Sequence, residues 1–318
     1  MKRRNFLTNL GTTGVGLTLL GKVSQVQAKP KGDAPDQMFN MALNPVPGVT
    51  APVSGKVVVV GGGMAGTTIS KYLRLWGGAG MDVTLVEPNA NYYSNIYSNM
   101  ILTGDKTLAQ LTYNYNNLIN NYGVKVVNSS VSSINAGGKS VSLANGSSLT
   151  YDRLVLALGI DFDSLPYVDP NNANVSKIVH AWQAGPQTTN LQKQIQAMTK
   201  SDTFILIIPP APYRCPPGPY ERACVVADYL KRVKGGGKVI VLDANAAITA
   251  QPTNFGNAFN VTYKGIITYI PGSTLTSIDA ANMTVVTNKG SYVGKVINAI
   301  PKHKAPKLIF DALLNTSD

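Results

Sequence analysis

The chain has 318 residues, 44% hydrophobic and 14% charged, with a formal net charge of +12. This is a globular composition with length enough for two ordinary domains, and it excludes a disordered polymer. The Lys/Arg excess forms no run interleaved with aromatics, which argues against a nucleic-acid binder and leaves a basic surface suited to an acidic partner or an anionic substrate.

The first feature in chain order is an address. KRRNFLTNLGTTGVGLTLLGKVSQVQA has a basic start, a mildly apolar stretch rich in Gly and Thr, and a small residue suited to cleavage at Ala28. Arg3–Arg4 followed by Phe6–Leu7 resembles a twin-arginine export signal, a route that carries folded proteins, often with a cofactor loaded. The expected location is therefore the periplasm, where a disulfide is chemically possible. An uncleaved anchor is the alternative, but the apolar run is short and Gly-rich for a spanning helix, and no other segment is long and apolar enough to make a stable membrane span. Residues 29–54, with scattered prolines and no periodicity, read as an extended arm.

From Lys56 the pattern becomes α/β. KVVVV is a buried strand, GGGMAG a turn, TTISKYLRLW a helix and DVTLVE a second strand ending on Glu87. Residues 107–122 read as a helix, VKVVNSSVSSIN as strand pieces, and SVSLANGSSLTYD as a hairpin around Asn145–Gly146. RLVLALG is a strand ending at Gly159. A second block follows, with a helix in AGPQTTNLQKQIQAMTK, a strand in FILII, a helix in PYERACVVADYLKRV closed by Gly235–Gly237, and a strand in KVIVLD. IITYI, LTSIDA, MTVVTNKG and KVINAIP complete it as strands and a hairpin.

Gly61-x-Gly63-x-x-Gly66 lies between a strand and a helix, with Glu87 at the end of the next strand. Gly61 permits the tight turn, Gly63 lets the backbone approach a pyrophosphate, and Gly66 lets the helix pack on the strand. The phosphates then meet the N–H groups of the helix start, including Met64 and Ala65, and Glu87 accepts hydrogen bonds from a ribose. A first dinucleotide domain, interrupted by a second α/β block and re-entered by KVINAIP, is the layout of two-dinucleotide flavoproteins, in which the first site holds FAD and Gly159 marks the crossing out. In the second block the corresponding turn reads PPAPYRCPPGP. Proline has no N–H to donate and its ring blocks close approach, so this domain is expected to keep the nucleotide fold without nicotinamide binding.

That turn holds Cys215 just before a helix expected to begin near Pro219, with Arg214 beside it. A helix N-terminus and a cation both favour a thiolate, so Cys215 is a candidate redox nucleophile facing the flavin. The plainer alternative is a small buried hydrophobe. Cys224 sits inside the same helix among Ala223, Val225 and Val226, where packing is the expected role. Pairing of the two stays open, because a turn that folds back would bring their Cα atoms within the roughly 7 Å a disulfide needs. His180 and His303 are far apart in sequence and belong to no Cys/His ligand spacing, so no metal site and no Ser–His–Asp hydrolase is expected.

YRCPPGPYERAC closely resembles the segment that carries a redox cysteine in the flavoprotein subunit of flavocytochrome c sulfide dehydrogenase. HAWQAG, VINAIP and NYYSNIYSN look like the same family, and the resemblance runs from about Lys56 to the end of the chain. It implies a glutathione reductase-like fold of two Rossmann-like domains: FAD-binding over 55–165 plus 288–318, and a second domain over 166–287. It also implies oxidation of sulfide to sulfane sulfur, with electrons passing from FAD to a c-type cytochrome subunit and Cys215 as the family's first active-site cysteine. Asn95 aligns with the cysteine that attaches the flavin covalently in some members, so FAD is expected to be noncovalent here. The family continues past this chain's LLNTSD into a partner cysteine and an interface domain, so the sequence is expected to be a fragment or a degenerate form. A noncatalytic flavin-binding electron-transfer or assembly protein and a quinone-reducing sulfide oxidase are the alternative functions.

Overall fold

The computed structural model describes residues 54–314. The expected leader at 1–28 and all but the last residue of the expected arm at 29–54 lie outside them. Strand β1 (Gly55–Val60) is buried from Val57 onward, as its unbroken valine run requires of a strand covered on both faces. Helix α1 (Met64–Gly77) follows the glycine turn, and β2 (Met81–Val86) pairs parallel with β1, from Gly55 opposite Met81 to Val60 opposite Val86. Next come β3 (Asn91–Tyr93), β4 (Thr112–Asn114), α2 (Asn116–Tyr122) and β5 (Lys125–Val127). An antiparallel set, β6 (Val131–Asn135), β7 (Ser140–Leu143) and β8 (Ser148–Thr150), precedes β9 (Arg153–Leu156). The first sheet has the order β5-β2-β1-β9, all parallel.

The helix expected over 107–122 is only half there. Thr112–Asn114 is instead a strand, antiparallel to Asn91–Tyr93, with Tyr113 opposite Tyr92. Thr and Tyr favour a pleated surface, and the cross-strand tyrosine pair outweighs the helical spacing. The change also brings Tyr115 to the glycine turn, where its hydroxyl donates to Gly62 O at 3.1 Å.

After β10 (Asp161–Phe162) the second block builds α3 (Pro186–Gln196), β11 (Thr203–Ile208), α4 (Gly218–Tyr229) with a π-helical extension, and β12 (Lys238–Asp243). It continues through α5 (Pro252–Asn257), β13 (Ile267–Pro271), β14 (Leu275–Asp279), β15 (Thr284–Thr287), β16 (Gly290–Val293), β17 (Val296–Ala299), β18 (His303–Lys304) and α6 (Lys307–Asp311). The second sheet has the order β13-β12-β11-β17, all parallel.

This order corrects one expectation. KVINAIP does not re-enter the first sheet. Val296–Ala299 pairs with Phe204–Ile207 and is buried at all four positions, so it is a core strand of the second sheet. The boundary expected at residue 288 therefore moves C-terminal of this strand. The return to the first half is made by His303–Lys304, which pairs antiparallel with Asp161–Phe162. Four consecutive buried positions suit a doubly covered parallel strand in either sheet, so their pattern cannot choose between them.

Candidate functional site

The four glycines of the first turn divide the work. Gly61 has φ +103°, and a Cβ there would lie 2.4 Å from Ala157 O. A Cβ on Gly66 would lie 1.8 Å from Gly61 O, so α1 packs on the turn only because this residue is Gly. Gly62, which the spacing does not single out, is equally enclosed: its added Cβ would meet the Tyr115 hydroxyl at 2.6 Å and Glu87 Cγ at 2.8 Å. A Cβ on Gly63 would meet nothing within 4 Å. Protein packing thus accounts for three glycines, and only the fourth faces open space, in the wall of a cavity of about 480 Å³ that reaches Glu87, Asn89 and Arg214.

Glu87 directly follows β2 and is buried. Its Oε2 accepts from Gly62 N–H at 2.7 Å, and its Oε1 accepts from Asn89 N–H at 2.9 Å and Asn89 Nδ2 at 2.7 Å. The carboxylate is thereby oriented toward the cavity beside the glycine turn. Helix α1 starts at Gly63 with no side-chain cap and no acid in its first turn, leaving N–H groups and positive dipole free for an anion. Met64 and Ala65 are exposed and, with Gly63, line a contiguous cavity of about 920 Å³. Gly159 (φ +76°), Asn95 and Arg214 border both cavities. Asn95 is fixed there by Ala184 N–H, which donates to its Oδ1 at 2.8 Å.

The far end of this space is the proline-rich turn. Cys215 is exposed and adopts φ +60°, a conformation uncommon for a non-Gly residue and worth about 1–3 kcal/mol of strain. Three contacts hold its neighbour Arg214. Its N–H donates to His303 Nδ1 at 2.8 Å, its carbonyl accepts from Trp182 Nε1 at 3.2 Å, and its guanidinium donates to Trp182 O. Gly218 opens α4 with its N–H on Cys215 O at 2.9 Å, one residue before the expected start. Cys224 packs against the core, and burial, with Glu221 adding to it, pushes its thiol up to about 12. Both thiols are free, so the 215–224 pairing left open by the sequence is not made.

In the second block the acid that ends the second strand is occupied by the chain itself. Asp243 ends β12 as Glu87 follows β2, but it is fully buried. Its Oδ2 accepts from the Tyr220 hydroxyl at 2.8 Å and the Tyr269 hydroxyl at 2.9 Å, and its Oδ1 accepts from Asn245 N–H and Nδ2 at 2.9 and 2.7 Å. Phe255 and Phe259 pack around Tyr220. Tyr220→Phe is expected to cost about 1–3 kcal/mol by leaving a buried acceptor short of a donor. A urea midpoint shift at unchanged m-value checks it.

The two histidines are far apart in sequence, yet the fold joins them. His180 and His303 flank Phe162 with ring centroids 4.4 and 5.2 Å away. Burial and the nearby arginines push both down to about 4, so both are neutral at pH 7. Among the described residues no group of three metal-ligating side chains forms. No local signal marks this pairing, because it depends on β10 meeting β18.

An open Gly63, an uncapped 14-residue helix and an oriented acid together fit an adenine dinucleotide. The comparisons agree. Residues 55–195 match the pyridine nucleotide-disulphide oxidoreductase family, and residues 188–301 match the family described as sulfide dehydrogenase [flavocytochrome c] flavoprotein chain, central. The sulfide:quinone oxidoreductase of Aquifex aeolicus superposes with TM-score 0.69 at 18% identity, over 81% of this chain and 61% of that one. The water-forming NADH oxidase of Lactobacillus brevis gives 0.60 at 21%, over 79% and 54%, and a NAD-dependent persulfide reductase from A. fulgidus gives 0.62 at 17%, over 81% and 48%. The chain thus spans less than two thirds of each of these structures, and the likeness establishes the fold: an α/β FAD/NAD(P) dinucleotide-binding architecture. Within that class, residues 188–301 are similar to the central part of the flavoprotein chain of flavocytochrome c sulfide dehydrogenase.

Proposed function

We propose that this protein oxidises sulfide to sulfane sulfur with noncovalently bound FAD, using Cys215 as the redox thiol and passing electrons to a c-type cytochrome subunit in the periplasm. The observation that carries this reading is the exposed Cys215 on the turn whose Arg214 borders both cavities reached by the first glycine turn. Gly61, Gly63, Met64, Ala65 and Gly66 would hold the pyrophosphate, Glu87 a ribose, and Gly159 the passage toward the sulfur end. Asparagine at position 95 forms no thioether, which supports noncovalent attachment. Asp243 is occupied by tyrosine hydroxyls, which supports a route without nicotinamide. Among the described residues no helix is long and apolar enough to cross a membrane.

The Cys215 thiol and hydrosulfide join as a cysteine persulfide, forming one S–S bond and releasing two protons and two electrons. FAD, when bound, supplies the acceptor for that electron pair. Arg214, anchored by His303 and Trp182, keeps a cation beside the reacting sulfur.

Anaerobic addition of sulfide to the FAD-loaded protein is expected to bleach the flavin, and Cys215→Ser to slow bleaching at least about a hundredfold, as loss of a nucleophile does. Undiminished bleaching in Cys215→Ser overturns the role of the thiol. Cytochrome c and a soluble quinone offered side by side to the reduced protein identify the acceptor.

A further inference from the structure

All four strands of the second sheet run parallel, so the segments that lead into them meet at one edge. Each segment brings lysine to that edge. Lys200 stands shortly before β11, Lys238 opens β12, Lys264 stands shortly before β13, and Lys295 directly precedes β17. The π-helical end of α4 adds Lys231 and Lys234. Three of the ammonium groups are laid onto backbone carbonyls of neighbouring segments. Lys231 Nζ donates to Thr262 O at 3.3 Å, Lys234 Nζ to Gln196 O at 2.6 Å and Lys238 Nζ to Gly265 O at 2.5 Å. Among the described residues none of these lysines forms an ion pair.

The acids at this edge do not cancel the lysines. Asp228 is paired with Arg232 at 2.6 Å. Asp202, facing Lys295, accepts from Thr199 N–H at 2.7 Å and from the Thr199 hydroxyl at 2.9 Å. Asp105, on the Arg232 side, accepts from the Thr103 hydroxyl at 2.8 Å. The first sheet shows the contrast. At its corresponding edge Asp82 of β2 pairs with Lys125 of β5 at 2.8 Å, and the Asp152 carboxylate accepts from Lys56 N–H at 2.7 Å. Val233, Val261 and Val293 stand exposed among the lysines of the second sheet. No aromatic residue of the four segments is exposed, and their one arginine, Arg232, is already paired. Protein–protein interfaces favour aromatics and arginine and are depleted in lysine. Lysines and isolated aliphatics spread over about 14 Å, the width of four strands, suit a broad anionic surface instead.

We propose that the amino-terminal edge of the second sheet docks this protein on an anionic lipid surface, with the lysines against the headgroups and the three valines at the interface. Docking of this kind is peripheral and needs no spanning helix. The Cys215 turn follows the opposite end of β11, so a docked molecule carries it about 20 Å farther from the lipid, the length of a six-residue strand, on the aqueous side. The proposal requires neither sulfide nor flavin and stands apart from the proposed function.

The test is co-sedimentation of the full chain with vesicles of phosphatidylcholine alone and of phosphatidylcholine mixed with phosphatidylglycerol. Tight binding is expected only to the anionic vesicles and is expected to fade as salt is raised. Lys238→Gln, Lys264→Gln and Lys295→Gln together are expected to weaken it at least about tenfold, since each lysine near an anionic surface is worth roughly fivefold. Lys139→Gln, Lys289→Gln and Lys302→Gln together remove the same charge from exposed positions away from the edge and are expected to weaken it by less than about threefold. Both variants keep residues 1–53, so the basic amino terminus contributes equally. Equal losses in the two variants overturn the proposal, because net charge alone then accounts for the binding. Should the edge variant not fold, amine acetylation of the unaltered chain carries the test. Anionic vesicles are expected to protect Lys238, Lys264 and Lys295 and to leave Lys289 reactive, and labelling of the edge unchanged by vesicles overturns the proposal. Retention on polyglutamate without binding to vesicles also overturns it, in favour of an acidic protein partner. Failure of sulfide to bleach the flavin would count against the proposed function and leave the vesicle result standing.

Discussion

Gly66→Ala is expected to destabilise the protein by about 3 kcal/mol or more, whereas Gly63→Ala leaves stability within about 1 kcal/mol and weakens FAD binding at least about tenfold. The two glycines belong to one motif, yet their surroundings differ. At Gly66 the added methyl would meet the Gly61 carbonyl at 1.8 Å, a backbone atom that cannot swing aside. At Gly63 the backbone has φ −72°, which alanine adopts freely, and the methyl would project into space that no protein atom occupies within 4 Å. Its only cost is then to whatever approaches that backbone. Thermal melts of the flavin-free proteins and a fluorescence titration with FAD separate the two effects. Tight FAD binding by Gly63→Ala would remove the pyrophosphate from this turn.

Acid is the second large effect. Burial pushes both His180 and His303 down to about 4, with Arg222, His303 and Arg214 adding at His180 and Arg214 adding at His303. In the unfolded chain a histidine titrates near 6.5. Between those values the unfolded chain binds more protons than the folded one, so stability is full above about pH 6.5 and falls as pH drops toward 4. Allowing for solvent screening of the partly exposed rings, the combined loss is on the order of 2 kcal/mol. Protonation of His303 also removes the acceptor for Arg214 N–H, so the Cys215 turn should loosen in the same window. Urea midpoints recorded across it check the expectation. His303→Gln, which keeps an acceptor and cannot titrate, should remove the His303 share of the dependence and leave that of His180.

The sequence makes the first nucleotide turn legible because its parts are local: a valine strand, spaced glycines, a helix and an acid at the end of the next strand. The Cys215 turn is legible for the same reason, since prolines stand where N–H donors would be needed. Gly62 was not legible, because its constraint comes from Tyr115 and Glu87, which are brought to it only by the fold. Nothing local in YERAC marks Arg222 as buried; its burial depends on Asn99, His180 and Asn298 from three distant segments. The assignment of β17 to the second sheet and the meeting of the histidines across Phe162 likewise depend on which strands become neighbours, and periodicity is silent on that.

The clasp at Asp243 also bears on redesign. In dinucleotide enzymes the acid after the second strand is the usual handle for altering coenzyme preference by a charge swap. Here Asp243 ties α4 to β13 through two phenols in an aromatic cluster, so the same swap would loosen the helix that follows the Cys215 turn. Giving this scaffold a nicotinamide coenzyme would mean rebuilding the prolines, Tyr220 and Asp243 together.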